Sequence, residues 1–284
     1  MKSTEGCSAR IDALRQALRA ADAILIGAGA GLSTSAGLTY SGERFERNFA
    51  PFIAVYHFRD MYAATFYPYD SPEAYWGYMS RHIEINRYAP PVGAPYLALL
   101  DIVKDRDYFF LTTNVDHQFQ RAGVQRDRLF YTQGDYGLWQ CSVPCHTRTY
   151  DNRDAVMDML ARQRDLRIPA ELTPRCPRCG RPMSMNLRCD DTFVQDDGWY
   201  AAAGRYDTFV RGHARGRVLY LELGVGANTP GIIKYPFWRM TAGNPDATYA
   251  CVNLGEAYAP EQIASRAICV NADVGQVIDA LGAP

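Results

Sequence analysis

Short apolar runs rich in β-branched and aromatic residues recur along the chain and predict buried parallel strands. They occupy residues 23–26, 108–111, 217–223, 247–254 and 267–270. Segments with helical periodicity lie between and beside these runs, at residues 8–20, 95–104 and 274–281. Because strands and helices alternate, we predict an α/β fold built on a doubly wound, Rossmann-like parallel sheet.

Two segments interrupt this alternation. Residues 43–95 are dense in aromatic side chains and are cut by prolines, which predicts a run of short helices. These aromatic side chains either form a small core or line part of a ligand pocket. Residues 136–205 are rich in Cys, Arg and Pro and predict a small inserted module. We therefore assign residues 1–135 and 206–284 to one large domain, which carries the helical segment, and residues 136–205 to a separate module.

Composition and charge narrow the class of protein. The chain is 48% hydrophobic with a net charge of −1, which argues against nucleic acid or an anionic membrane as its main partner. No apolar run approaches the roughly 20 residues of a membrane span, and residues 1–20 lack the apolar centre of a secretory signal. Eight cysteines in such a chain indicate thiols or a metal site rather than disulfides. We expect a cytoplasmic protein.

The most distinctive stretch is residues 22–42, which opens on the first apolar run. Alternating glycine and alanine at 27–31 lead into Ser33 and a helix-compatible segment. Glycines permit close backbone approach, and a helix N-terminus offers free N–H groups to an anion, so this loop can cradle a phosphate. The GxGxxG fingerprint is incomplete, because Leu32 stands at its third glycine. A tight strand–helix turn without a ligand is the alternative.

Polar residues follow the second apolar run at its carboxyl end, where α/β sheets place ligands. They are Asn114 and Asp116. An Asn can bind a ribose hydroxyl or orient a water, and an Asp can accept a hydrogen bond from a carboxamide NH2. The alternative is that they cap the helix that follows. We expect the neighbouring His117 on the surface of that helix.

Two close cysteine pairs lie in residues 136–205: Cys141 and Cys145, then Cys176 and Cys179. Four thiolates close a tetrahedral zinc site and leave no open coordination position, so we predict structural Zn2+ in a zinc-binding module. Four free buried thiols are the alternative. His146 and Cys189 are further candidates, but neither improves the pairing.

The order of these motifs resembles the sirtuin family. Residues 29–38 resemble its opening NAD motif, GAG-(I/L)-S-x-x-x-G-(I/L). Residues 112–123 resemble its T-Q-N-I-D signature, with Thr113 replacing Gln. The resemblance implies NAD as co-substrate, with Asn114 beside the nicotinamide ribose and Asp116 holding the nicotinamide carboxamide.

The other NAD contacts implied by the resemblance lie at neighbouring strand ends. The pyrophosphate is expected on residues 29–33, and the adenosine on the loop after the run at 217–223. The residues concerned are Gly29, Ala30, Gly31, Ser33, Gly224, Gly226, Asn228 and, for the adenosine ribose, Asn253.

Two departures from the sirtuin pattern change the expected chemistry. The Pro-Asp-Phe-Arg that should end the first motif is absent, and Tyr40, Arg44 or Phe45 is expected to replace its Phe and Arg over the nicotinamide. Gln133 occupies the slot of the His that acts as general base in deacylation. A Gln amide cannot take that proton, but it can donate to and accept from ribose hydroxyls. We therefore predict Asn114, Asp116 and Gln133 as the catalytic residues.

These departures look like class M sirtuins, microbial proteins found with macrodomain proteins. That class implies NAD-dependent mono-ADP-ribosyltransfer to a protein, with a lipoylated carrier resembling glycine cleavage H as acceptor and a macrodomain hydrolase as partner. The alternatives are an NAD glycohydrolase, a weak lysine deacylase with another base, and a non-catalytic NAD or ADP-ribose sensor. Free ADP-ribose, deacylation, or tight NAD binding without nicotinamide release would respectively identify them.

Overall fold

A computed structural model of the protein describes residues 2–226 and 230–283. In chain order the strands are β1 (Ala23–Ala28), β2 (Tyr108–Thr112), β3 (Leu129–Tyr131), β4 (Gly134–Cys141), β5 (Tyr150–Asp151), β6 (Met183–Leu187), β7 (Val218–Leu223), β8 (Thr248–Val252) and β9 (Ala267–Val270). The α-helices are α1 (Lys2–Ala20), α2 (Ala30–Ser35), α3 (Glu43–Tyr56), α4 (Met61–Thr65), α5 (Pro72–Ile83), α6 (Ala94–Val103), α7 (Gln118–Arg121), α8 (Arg153–Arg162), α9 (Asp197–Gly212), α10 (Lys234–Gly243) and α11 (Val274–Gly282). A π-helix covers Glu84–Tyr88, and 3-10 turns cover Arg126–Arg128, Ala170–Leu172 and Glu261–Arg266. No helix in this described part of the chain is both long and apolar enough to cross a membrane.

Six parallel strands form the large sheet, in the order β3-β2-β1-β7-β8-β9. Every residue of β1, β2 and β7 is buried, which explains why these strands read as continuous apolar runs. Leu14 of α1, Leu99 of α6 and Val277 of α11 pack on one face of the sheet. Ala202 of α9 and Phe237 of α10 pack on the other. The predicted doubly wound α/β fold is confirmed.

The strand order reverses between β1 and β7, the kind of switch point at which doubly wound sheets bind ligands. Ala28, the last residue of β1, lies opposite Thr112 on one side and Leu223 on the other. Thr112 in turn lies opposite Tyr131, and Leu223 opposite Val252. Five strands therefore end at one level, and the segments that follow them meet there.

A second, antiparallel sheet in the order β5-β4-β6 packs against the helical segment at residues 43–95. One hydrophobic core contains Tyr78 and Trp76 of that segment together with Trp139 of β4 and Met183 of β6. The rings of Trp76 and Trp139 have centroids 5.0 Å apart. The aromatic-rich segment and the small sheet therefore share one core, although we assign them to different domains from the sequence. The domain boundaries themselves stay a prediction.

Prolines and caps divide the segment at residues 43–95 as its sequence predicts. Helix α3 is kinked at Phe49, two residues before Pro51. Asp60 and Ser71 cap α4 and α5 by accepting backbone N–H bonds, at 2.7 Å and 3.2 Å. Six of the thirteen Phe, Tyr and Trp rings in the segment are buried and four more pack against the same core, so the core interpretation holds for these ten.

Helix α9 crosses the predicted end of the module at residue 205. The Trp199 indole of α9 donates to Thr132 O at 3.1 Å, and its ring centroid lies 5.0 Å from that of Phe130 in β3. This helix therefore packs on the large sheet rather than on the small one.

Candidate active site

The loops that follow β1 and β7 are in direct backbone contact. The N–H of Gly29 donates to Leu223 O and that of Gly31 to Gly224 O, both at 2.9 Å. A Cβ on Gly31 would lie 2.6 Å from Gly224 Cα, closer than real Cβ atoms come. The packing of the two loops therefore requires glycine at this point. These two N–H groups are used within the protein rather than offered to a ligand.

Asn114 fastens the loop after β2 to the loop after β1. Its Nδ2 donates to Gly29 O at 2.9 Å and to the Tyr96 hydroxyl at 3.3 Å. Its backbone N–H donates to Thr112 Oγ1 at 3.0 Å, which fixes the turn out of the strand. No group in the described residues donates to Asn114 Oδ1, so this oxygen can accept a hydrogen bond from a ligand.

Asp116 is buried in the same loop and uses both of its oxygens. Ser33 Oγ donates to Oδ2 at 2.5 Å, and the Tyr96 hydroxyl donates to the same atom at 3.4 Å. Oδ1 accepts the Gln118 N–H at 3.0 Å, so the capping alternative holds for this oxygen. Burial raises the pKa of Asp116, and the hydrogen bonds from Ser33 and Gln118 oppose this only in part. A further donor from a ligand would stabilise the charged form.

Two adjoining pockets form one cleft at the carboxyl ends of the strands. The inner pocket has a volume of about 310 Å³ and the outer pocket about 330 Å³, sizes that suit small-molecule ligands. Both are lined by Ala30, Tyr40, Thr113, Asn114 and Val115. The inner pocket continues to Ser33, Asn86 and Asp116. The outer pocket continues to Gln133, Tyr136, Arg188 and the exposed rings of Tyr62 and Phe66.

The structure brings most of the predicted NAD-site residues to this cleft. Those that line it are Gly29, Ala30, Ser33, Tyr40, Asn114, Asp116, Gln133 and Gly226. Gly31, Gly224 and Asn253 support its wall from behind. The Asn253 amide donates to Val225 O at 3.0 Å and so holds the loop that carries Gly226. Asn228 lies outside the described residues.

The three residues predicted to replace the lost Phe and Arg occupy different positions. Phe45 is buried in the core of the helical segment and lines neither pocket. Tyr40 lines both pockets, and its hydroxyl contacts that of Tyr136. Burial of the Tyr40 hydroxyl raises its pKa to about 12, although the hydrogen bond with Tyr136 opposes the shift. Arg44 lines neither pocket, because its guanidinium donates to Thr39 O at 2.7 Å and Ile85 O at 2.6 Å. Arg44 therefore holds the loop that carries Tyr40.

Several residues that line the outer pocket are not predicted from the sequence. Arg188 places a cation beside Gln133, and its N–H donates to Gln133 O at 3.0 Å. This approach follows from the pairing of β4 with β6, which sets Gly134 opposite Leu187. No local pattern around residue 188 indicates that pairing. Tyr62 and Phe66 carry a weak signal, as members of the aromatic-rich segment.

A cluster of polar side chains around the buried Asp135 lies next to the cleft, and it corrects the expectation for His117. His117 is not on a helix surface: it precedes α7 with φ 64°, and its Nδ1 contacts the Asp135 carboxylate. Arg87 Nε donates to Asp135 Oδ1 at 2.8 Å, and the Gly137 N–H donates to the same oxygen at 2.7 Å. Burial by itself would raise the pKa of Asp135, but the hydrogen bond and charge of His117 and the charge of Arg87 outweigh it and lower the pKa.

The four cysteines predicted to bind zinc form one cluster, with their Sγ atoms all within 4.8 Å of one another. Cys141 Sγ lies 3.6 Å from Cys179 Sγ, and Cys145 Sγ lies 3.7 Å from Cys176 Sγ. Four sulfurs at a Zn–S length of about 2.3 Å are about 3.8 Å apart in a tetrahedron, so the cluster fits Zn2+. Since the protein supplies all four ligands, the site is structural.

The zinc cluster lies outside the cleft. Cys141 is the last residue of β4, and none of the four cysteines lines either pocket. His146 supports the cluster without joining it: its Nδ1 lies 2.9 Å from Cys145 Sγ and its Nε2 2.7 Å from the Tyr150 hydroxyl. Cys189 lines the outer pocket instead.

Two curated proteins are similar to the chain over most of its length. A protein ADP-ribosyltransferase from Staphylococcus aureus is 43% identical over 268 residues, which cover 94% of this chain and 85% of that protein. A "Probable bifunctional ADP-ribose hydrolase/ADP-ribosyltransferase" from Fusarium oxysporum f. sp. cubense is 30% identical over 288 residues. That match covers 94% of this chain but 47% of the fungal protein, about half of its length.

Solved sirtuin structures share the fold. One, from work on the mechanism and regulation of Sir2 enzymes, gives a TM-score of 0.60 at 20% identity and covers 96% of both chains. A complex of Sir2 with a p53 peptide and NAD+ gives a TM-score of 0.55 at 19% identity and covers 94% of both chains. No family model matches the chain. The 43% identity and the shared fold show that the chain belongs to the sirtuin-fold, NAD-dependent protein ADP-ribosyltransferases.

Proposed function

We propose that this transferase moves ADP-ribose from NAD to a side chain of a lipoylated carrier protein similar to glycine cleavage H. The bond between the ribose C1′ and the nicotinamide nitrogen breaks, and nicotinamide leaves with the bonding electrons. A bond from C1′ to the acceptor side chain forms, and a proton on an acceptor that carries one passes to solvent. One observation carries the proposal: Gln133 shares the outer pocket with Asn114, and no histidine is among the described residues that line the cleft.

The inner pocket suits the nicotinamide. Asp116 and Asn114 present acceptor oxygens there for the carboxamide N–H groups and the ribose hydroxyls. The hydrogen bond that Ser33 donates to Asp116 and the one that Asn114 donates to Gly29 O fix those two side chains in advance. Tyr40 forms the wall on which the ring would lie. Holding the leaving group and the ribose in one geometry lowers the barrier to cleavage.

Gln133 favours transfer over deacylation. Deacylation needs a base that activates a ribose hydroxyl in its second stage, and an amide has no accessible pKa for that task. The Gln133 amide can still orient the ribose by hydrogen bonds, with Arg188 as the nearby cation. Transfer to an ionised carboxylate on the acceptor needs no base.

The rest of NAD is assigned to the loops at the switch point. The pyrophosphate is assigned to Ala30 and Ser33, since Gly29 and Gly31 use their N–H groups on the loop after β7. The adenosine is assigned to the side of the cleft next to Gly226, with Asn228 and Asn253 as the predicted contacts.

The outer mouth of the cleft supports an acceptor with an apolar arm. Tyr62 of α4 and Phe66, the residue after α4, have 67% and 55% of their surface exposed, and their ring centroids lie 4.9 Å apart. Leu187 also lines this pocket. Aromatic rings left in water at a pocket mouth are typical of a binding surface. The methylene chains on either side of the amide in a lipoyl-lysine arm would pack on these side chains.

A macrodomain hydrolase completes the proposed system. The fungal relative is named for a hydrolase and a transferase together, and this chain covers about half of it. A separate hydrolase that removes the modification is therefore the proposed partner. A cytoplasmic location is part of the same proposal.

The direct test incubates the protein with labelled NAD and one of three acceptors: the lipoylated carrier, the same carrier without lipoyl, or an acyl-lysine peptide. We expect label on the lipoylated carrier, equimolar nicotinamide, and no deacylation. Prompt deacylation without protein labelling would refute the transferase, and free ADP-ribose without labelling would favour a glycohydrolase. Equal labelling of both carriers would show that the lipoyl group is not needed for recognition of the acceptor.

A surface variant tests the acceptor arm separately. Tyr62→Ala should raise KM for the carrier about tenfold and leave nicotinamide release without acceptor unchanged. Tyr200→Ala, on the similarly exposed Tyr200 of α9, is the matched control. Equal effects of the two variants would place the acceptor elsewhere.

A further inference from the structure

Both oxygens of the Asp135 carboxylate already accept hydrogen bonds within the protein, so the carboxylate is not offered to a ligand. It is 3% exposed, and it accepts from His117 on one oxygen and from Arg87 and Gly137 on the other. It lines neither pocket of the cleft. A buried carboxylate that is satisfied in this way links the elements that carry its donors.

Each of those elements carries a wall of the cleft. His117 directly follows Asp116, and Asp135 comes two residues after Gln133. Arg87, in the π-helix, directly follows Asn86, which lines the inner pocket. One carboxylate therefore joins the loop after β2, the start of β4 beside Gln133, and the helical segment.

His117 holds an unusual backbone conformation at this point. Its φ of 64° lies in the left-handed region, where residues other than Gly are uncommon and Asn, Asp and His are the most frequent of them. Such a conformation persists when surrounding contacts impose it, and the contact here is with Asp135. The imidazole thus fixes the direction in which the chain leaves Asp116.

We propose that Asp135, with His117 and Arg87, is a positioning device that sets Asp116 and Asn86 against Gln133. None of the three touches the reacting atoms. The inference rests on the proposed function, because it takes Asp116 and Gln133 as the groups that hold the nicotinamide and the ribose. It explains why charged residues are buried beside a site whose own chemistry does not use them.

The test is a double-mutant cycle on NAD cleavage, measured as nicotinamide release. His117→Asn is the perturbing variant, because Asn tolerates the left-handed backbone while it is too short to keep the contact with Asp135. Gln133→Ala is the second member. We expect His117→Asn to lower kcat about tenfold in the wild-type background and less than about threefold in the Gln133→Ala background. NAD binding stoichiometry, measured by calorimetry, should remain at one site per chain.

The chain offers a matched control for the loss of a His–Asp pair. His213 Nε2 lies 3.0 Å from Asp107 Oδ2 at the amino end of β2, and its side chain has the same 27% exposure as that of His117. His213→Asn should leave kcat within about twofold of the wild type in both backgrounds.

Each outcome decides the proposal. A tenfold loss that persists in the Gln133→Ala background, an equal loss in His213→Asn, or no loss in His117→Asn would each overturn it. Wild-type protein that releases no nicotinamide would instead refute the proposed function. The positioning device would then be tested by the Kd for NAD, and an unchanged Kd in His117→Asn would overturn it.

Discussion

The contact between the loops after β1 and β7 makes a sharp prediction for Gly31→Ala. The added methyl group would lie 2.6 Å from Gly224 Cα, about 0.8 Å inside the 3.4 Å at which ordinary van der Waals contact begins. The neighbour is backbone at the end of a central strand, and it already accepts the Gly31 N–H. It cannot rotate away as a flexible side chain could.

The cost follows from these contacts. Overpacking a site of this kind costs about 1–3 kcal/mol of stability. Stretching the hydrogen bond between Gly31 and Gly224 costs about 1 kcal/mol more. We therefore expect the free energy of unfolding to fall by about 2–4 kcal/mol, and Tm to fall by about 4–10 °C. Because the displaced loop carries Ala30 and Ser33, NAD cleavage should fall up to about 100-fold.

Thermal unfolding and calorimetric NAD binding measure the two effects separately. Gly231→Ala is the control, since a Cβ on Gly231 would have no atom within 4 Å. It should leave both Tm and Kd unchanged. If Gly31→Ala kept the wild-type Tm and the wild-type Kd for NAD, the close approach of the two loops would not be a structural requirement, and the reasoning would fail.

Three further predictions concern a buried histidine, a carboxylate in the cleft and the zinc cluster. Burial lowers the pKa of His82 to about 3, so the free energy of unfolding falls as the pH falls from 6.5 toward 3. In urea unfolding, His82→Phe should reduce this loss of stability by up to about 4 kcal/mol. An unchanged loss would contradict the assignment. Burial raises the pKa of Asp116, so its charge costs stability at neutral pH and not in acid. Asp116→Asn should therefore raise Tm at pH 7 yet slow NAD cleavage about 100-fold, and a lower Tm would oppose this. Cys145→Ser should lose bound zinc in elemental analysis and lower Tm, whereas Cys189→Ser, whose thiol is outside the cluster, should keep the metal.

Sequence patterns alone determine the layout of this protein. Each central strand is buried on both faces, so its residues are apolar at successive positions, whichever strands lie beside it. The polar residues that follow those runs then meet at one edge, because parallel strands end together there. The spacing of the four cysteines likewise predicts their cluster, since ligand pairs close in sequence need only a short turn.

Tertiary structure alone decided how individual polar atoms are used. The N–H groups of Gly29 and Gly31 suit a phosphate by sequence, yet the loop after β7 takes both. Arg188 reaches Gln133 because β4 pairs with β6. His117 meets Asp135 for a similar reason, since its partner is 18 residues away along the chain. Hydrophobic period is a local property of the chain, whereas a hydrogen-bond partner is whatever distant residue the packing brings within reach.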